Sequence, residues 1–313
     1  MRLVFWGTPN FSVPSLEALS ERSRHQIVGV VTGPDRPQGR GLRTLSTAVK
    51  QTAIAHNYPL WQPENLSDPS FLDELAMVEA DLFVVVAFRI LPAELLKIPP
   101  AGIINLHPSL LPRYRGAAPI QWAIINGDKE TGVTTFLIKG KVDTGDILDQ
   151  KSVLINPEET SGDLHDRLSL IGADLVVRTV DFMESGESQQ RPQTGKITRA
   201  PKISKEDARI NWRESARIIH NKVRGLNPIP MSFTTWRGKL FRVIRSSPVT
   251  NNGGDSGYAP GIVIEANEKR GIIVQTGDGR LNLLVVQPEG KNQMKGTEFV
   301  QGYHPSVGDQ FGM

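Results

Sequence analysis

The sequence contains no cysteine. Disulfides, thiolate zinc sites and a cysteine nucleophile are therefore excluded by inventory alone. A long apolar run is also absent. The N-terminal stretch MRLVFWGTPNF meets a glycine and a proline too early for a secretory signal, and no segment reaches membrane-spanning length. A cytoplasmic protein without membrane attachment is expected. Nor is there a strong excess of one charge, with 36 Lys+Arg against 33 Asp+Glu. The balance is nevertheless uneven: residues 1–200 carry 20 basic and 23 acidic side chains (−3), and residues 201–313 carry 16 and 10 (+6). That basic surplus suits either a solvated surface or a polyanionic partner.

With 313 residues and 39% apolar content the chain is long enough for two domains. The runs RLVFW (2–6), IVGVV (27–31), LFVVVA (82–87) and GII (102–104) read as strands buried on both faces. Helical spacing over 11–21, 46–56 and 68–79 separates them. This alternation predicts an α/β, Rossmann-like domain on a parallel sheet. Two further strands are expected at 132–138 and 147–154, then a long helix over 162–184 built on Leu164, Leu168, Leu175, Val176 and Val180. Residues 185–204 are polar and rich in Ser, Gln, Pro and basic side chains, as in an exposed linker. A short helix at 214–224 and the runs FRVI, GIVI, GIIV and LNLLVV, broken by Gly, Asn and Pro, predict a small β-barrel or sandwich. The expected division is 1–188, a linker at 189–206, and 207–313.

Four stretches could carry chemistry. GTPNFSVP (7–14) follows the first strand but has one glycine where the dinucleotide fingerprint needs three, so NAD binding is disfavoured. TGPDRPQGRGLRTLS (32–46) reads as a loop in which Arg36, Arg40 and Arg43 either face solvent or seek phosphates. Asn105 and His107 lie two residues apart where the GII run ends, so extended backbone would project both to one side. A carboxamide and an imidazole there supply an oxyanion donor and a proton-transfer group. In KVDTGDIL (141–148), Asp143 and Asp146 either cap a turn or place a carboxylate near His107; spacing alone does not choose. Without cysteine or a G-x-S-x-G elbow the inventory favours direct acyl transfer over a covalent acyl-enzyme. The six histidines show no metal-ligand spacing.

NLHPSLLPRYRGAAPIQWAIINGDKETGVTTFLIKGKVDTGDIL (105–148) resembles the signature region of folate-dependent formyltransferases. The likeness continues through MRLVFWGTPNFSVPSLEAL, VVTGPDRPQGRG and VRGLNPIP and covers essentially the whole chain. It implies a Rossmann-like catalytic domain that binds 10-formyltetrahydrofolate as co-substrate, without a metal. It also implies an OB-like C-terminal barrel that helps hold tRNA. The implied catalytic set is Asn105, His107 and Asp143, with His107 protonated and Asp143 keeping it so. The implied folate contacts are Phe88, Arg89, Ile90 and Leu91 with Ser109, Leu110, Leu111 and Pro112. The implied tRNA contacts are Arg36, Arg40 and Arg43, on a loop spanning 34–45. The resemblance thus implies an enzyme that formylates initiator methionyl-tRNA, and a monomer is expected; the alternative acceptor is a small amine such as glycinamide ribonucleotide or an amino-sugar nucleotide. Asn10, Pro108 and the glycine-free VVVAFRILP depart from the usual pattern.

Overall fold

A computed structural model describes residues 1–38, 43–140, 142–249 and 257–312. The chain folds as two compact units, Met1–Pro119 with Thr131–Leu154 and His165–Ala200, and Ile120–Glu130 with Ile155–Leu164 and Pro201–Met313. Each unit takes residues from separate stretches of the chain.

The strands of the first unit are β1 (Arg2–Gly7), β2 (Gln26–Val31), β3 (Arg36–Gln38), β4 (Arg43–Leu45), β5 (Leu60–Trp61), β6 (Leu82–Val86), β7 (Ile103–His107), β8 (Arg115–Gly116), β9 (Glu130–Leu137), β10 (Ile147–Leu154) and β11 (Arg199–Ala200). Seven form one sheet in the order β10-β9-β7-β6-β1-β2-β5. β1 pairs in parallel with β2 and β6, β6 with β7, and β2 with β5. β9 runs antiparallel to β7, so the sheet is mixed rather than wholly parallel. The sequence reflects this: β6 is LFVVV and buried throughout, while β10, ILDQKSVL, intersperses polar residues and exposes several of them.

The helices of the first unit are α1 (Val13–Arg22), α2 (Ala48–Ala55) and α3 (Pro69–Met77); α4 (Pro119–Ile125) belongs to the second unit from Ile120 on, and α5 (Ser161–Ser185) to the first from His165 on. Thr47 caps α2 by accepting from the Lys50 N–H at 3.0 Å, and Asp68 caps α3 by accepting from that of Ser70 at 2.9 Å. The five apolar positions that predicted the long helix are all buried in α5. Under the sheet, Val4, Trp6, Phe83 and Val85 pack with Phe71 and Leu75 of α3.

The second unit adds β12 (Ser232–Trp236), β13 (Lys239–Val249), β14 (Val263–Asn267), β15 (Gly271–Gln275), β16 (Arg280–Pro288) and β17 (Met294–Lys295), with helices α6 (Ala216–Gly225) and α7 (Gly296–Tyr303). Its sheet is antiparallel in the order β12-β13-β16-β15-β14, with β17 on β16. Among the described residues no strand pairing closes β12 onto β14, so the expected barrel is an antiparallel sheet here. Single bridges join Trp236 to Phe311 and Ile262 to Gln310. One residue on each side is too little backbone for a closing strand. Trp236, Phe241, Phe299 and Phe311 form its aromatic core. Among the described residues, no helix is long and apolar enough to cross a membrane.

Candidate active site

The strand expected to stop at Ile104 continues through His107, because β6 and β9 supply a hydrogen-bonding ladder to its polar end. Asn105 lies opposite Val85 and Phe136, and His107 opposite Thr134. Alternation puts Asn105 and His107 on one face of β7 and buried Leu106 on the other. Asn105 is half-buried, and its carboxamide makes no hydrogen bond among the described residues. Both of its N–H donors are therefore open to a ligand.

His107 is 4% exposed. Its Nε2 lies 2.9 Å from the Tyr114 carbonyl, which can only accept, so Nε2 carries a proton. Its Nδ1 lies 3.8 Å from Asp143 Oδ2, within electrostatic reach but beyond a direct hydrogen bond. Burial pushes the imidazole below its ordinary value, opposed by the Asp143 charge and the Tyr114 hydrogen bond. That direction favours a neutral ring with a lone pair on Nδ1, able to accept a proton, over a standing imidazolium.

Asp143 Oδ2 accepts from the Gly116 N–H at 2.8 Å, and the backbone of Asp143 is left-handed at φ 53°. Asp146 instead forms a surface ion pair with Lys139, so Asp143 is the aspartate at the histidine. Gly116 has φ 124°, and a Cβ there would lie 2.6 Å from the Ala200 carbonyl oxygen. Only glycine lets β8 meet β11 this closely. Residues 185–199 are mostly exposed, as a linker would be, yet they are bonded to the site. Ile147 and Arg191 exchange backbone hydrogen bonds at 2.8 and 2.9 Å, and Thr198 Oγ1 accepts from the Tyr114 N–H at 2.8 Å. Sequence reading missed Thr198 because nothing local marks a linker threonine as a partner 84 residues away.

The segment after β6 is pinned in place. Phe88 stands edge-on to Trp6 with centroids 5.5 Å apart, and Leu91 packs on the same cluster. The Arg89 guanidinium donates to the carbonyls of Glu64 at 3.0 Å and Pro63 at 2.6 Å. Burial draws its pKa down from the ordinary arginine value. Ile90 is 76% exposed. Of the second expected folate segment, Ser109, Leu111 and Pro112 are buried. The Ser109 hydroxyl donates to the Arg113 carbonyl at 2.6 Å, and Leu111 packs with Phe136 and Ile147. Leu110 is half-buried. Arg36 is exposed on β3, whereas Arg40 and the side chain of Arg43 lie outside the described residues. Among the described residues, no group of three or more His, Asp or Glu side chains is arranged to hold a metal.

The buried, neutral His107 links acidity to stability. Unfolded histidine titrates near its ordinary 6.5 and native His107 below it. In that window the unfolded state binds more protons, so stability falls as pH falls. His220 of the second unit is shifted the same way by burial. The urea midpoint is expected to drop as pH is lowered from about 6.5 into the window beneath it, and less steeply in His107→Gln.

Residues 1–180 match the formyl transferase family, and residues 202–304 match the formyl transferase C-terminal domain. The chain belongs to the formyl transferase family. It is 46% identical over 301 residues to the methionyl-tRNA formyltransferase of Thermodesulfovibrio yellowstonii, covering 96% of this chain and 95% of that one. To the methionyl-tRNA formyltransferase of Moorella thermoacetica it is 43% identical over 314 residues, covering 100% and 99%. These full-length identities place it with the methionyl-tRNA formyltransferases within that family. Among solved structures it resembles WlaRD, a sugar 3N-formyl transferase crystallised with dTDP and 5-N-formyl-THF, at TM-score 0.67 and 19% identity, covering 93% of this chain and 99% of that one. That likeness is one of fold.

Proposed function

We propose that the chain transfers the formyl group of 10-formyltetrahydrofolate to the α-amine of methionine on initiator methionyl-tRNA, for translation initiation. The carrying observation is the open Asn105 carboxamide and buried His107 on one face of β7, with Asp143 3.8 Å from the ring. The amine titrates near 7.7 to 8.0, so a useful fraction is neutral and attacks the formyl carbon without a strong base. As the C–N bond forms, the carbonyl electrons move to oxygen, where an Asn105 N–H donates to the oxyanion. Nδ1 of His107 takes the proton released by the amine, and Asp143 stabilises the resulting imidazolium. Collapse breaks the bond to the folate nitrogen, which receives the proton, leaving tetrahydrofolate and the formylated amine.

Phe88, Arg89, Ile90 and Leu91, with Leu110 and the backbone of Ser109, Leu111 and Pro112, hold the folate in this reading. Arg36, Arg40 and Arg43 contact tRNA phosphates. Residues 1–188 are the catalytic domain, 189–206 the connection, and 207–313 an OB-like tRNA-holding domain of a cytoplasmic monomer. Arg40→Ala is expected to raise KM for initiator methionyl-tRNA several-fold, flatten its salt dependence and leave folate binding unchanged. Equal damage to both substrates contradicts the loop assignment. The function itself is tested by offering the purified chain labelled 10-formyltetrahydrofolate with initiator methionyl-tRNA, glycinamide ribonucleotide or an amino-sugar nucleotide. Label is expected in the tRNA fraction; label in a small acceptor, with none in tRNA, sinks the proposal.

A further inference from the structure

Residues 181–201 fall between the two stretches that match family domains. We propose that Gln193, within this stretch, is a positioning residue that fixes the turn carrying Asp143. Its Nε2 donates to the carbonyl of Asp143 at 2.9 Å and to that of Gly145 at 2.8 Å. Its Oε1 accepts from Arg115 Nε at 3.1 Å and from Arg115 Nη2 at 2.7 Å. One half-buried carboxamide thus uses both donors and its acceptor oxygen on two segments.

Those segments are the ones whose spacing matters. Arg115 precedes Gly116, whose N–H donates to the Asp143 carboxylate at 2.8 Å. Gln193 therefore ties the backbone that bears the carboxylate to the strand that orients it. The left-handed Asp143, at φ 53°, is a conformation that a non-glycine residue keeps only when its surroundings hold it. Capture of its own carbonyl and that of Gly145 supplies the hold. Five residues on, Thr198 accepts from the Tyr114 N–H at 2.8 Å, and the Tyr114 carbonyl accepts a hydrogen bond from His107 Nε2 at 2.9 Å. One exposed segment thus braces both members of the His107–Asp143 pair.

The inference rests on Asp143 serving the transfer reaction, and the experiment separates the two claims. Gln193→Glu keeps the shape and the acceptor for Arg115 but removes both donors; Gln193→Ala removes every contact. Steady-state transfer to initiator methionyl-tRNA is compared in wild type, both variants, Asp143→Asn, and the double variants. Each Gln193 variant is expected to lose on the order of 10- to 100-fold in kcat, with KM for both substrates within about twofold of wild type. In the Asp143→Asn background the further loss should be under about twofold, since Gln193 acts through Asp143. In Gln193→Ala the His107 ring, followed by NMR, should titrate lower than in wild type as the carboxylate drifts away. Wild-type kcat in both Gln193 variants, with Asp143→Asn impaired, overturns the inference and leaves the site reading intact. Losses that add to that of Asp143→Asn, or an unmoved His107 titration, also overturn it by making Gln193 merely structural. A fully active Asp143→Asn overturns the site reading itself.

Discussion

Asn105→Ala is expected to lower kcat for formyl transfer by about 10²- to 10³-fold while leaving the protein folded. Removing one oxyanion donor typically costs about 2.7 to 4 kcal/mol of transition-state stabilisation, which is that factor in rate. The structure isolates the effect. Asn105 is half-buried and makes no side-chain hydrogen bond among the described residues, so truncation breaks no internal network. The same change at His107 would remove a buried ring whose Nε2 donates to the Tyr114 carbonyl at 2.9 Å, and would mix folding with chemistry. The check is kcat beside a thermal melt. A rate loss below about threefold with an unchanged melting temperature means that the amide does not face the developing charge.

The second large effect is expected from Gly145→Ala. An added Cβ would sit 1.5 Å from the Leu137 carbonyl oxygen and 2.7 Å from its carbon. Backbone, not a flexible side-chain tip, is in the way. The Leu137 N–H also donates to the Asp146 carbonyl at 3.0 Å, so this contact closes the turn that carries Asp143. Relief requires that turn to move, and a displacement near 1 Å at a catalytic group costs on the order of 10²-fold. The expected result is a kcat loss of that order with a lowered melting temperature. Gly140→Ala, where a Cβ meets nothing within 4 Å, is the matched control and should stay near wild type. Equal, small effects from the two substitutions would show that the turn is not held by this approach.

Much of this arrangement is legible in the sequence, and the failures have physical causes. Continuous apolar runs of β-branched, Leu and aromatic residues announce β1, β2 and β6 because strands buried on both faces carry no polar alternation. The apolar positions of α5 mark it as plainly. The continuation of β7 through Asn105 and His107 is hidden, because the ladder from β6 and β9 depends on backbone and not on side-chain polarity. The seven-residue α4 is too short to display a period, and the eight-residue α7 scarcely better.

Site chemistry divides in the same way. Residue types and the i, i+2 spacing bring out Asn105 and His107, but choosing between Asp143 and Asp146 needs tertiary position: one lies at the histidine, the other on Lys139 at the surface. Ionisation state is further out of reach, since burial, which composition does not report at a single residue, lowers the His107 pKa against the pull of Asp143. Ser109 and Leu111, which the family resemblance assigns to the folate, are buried, a depth that residue type does not report. The polar stretch 185–204 reads as a tether because its side chains are exposed, while its bonds to the site run largely through backbone and a few polar tips.

The central claim is that formyl transfer runs through a neutral His107 acting as proton acceptor beside Asp143. Its most direct test is the single-turnover rate of transfer from 10-formyltetrahydrofolate to initiator methionyl-tRNA, followed across pH with both substrates saturating. A histidine held below its ordinary 6.5 is already deprotonated on the alkaline side, and the attacking amine gains free base there too. The account predicts a rate that rises from the acid side to a plateau and does not fall up to about pH 8.5. A rate that declines as pH climbs through about 7, as a required imidazolium would produce, contradicts it.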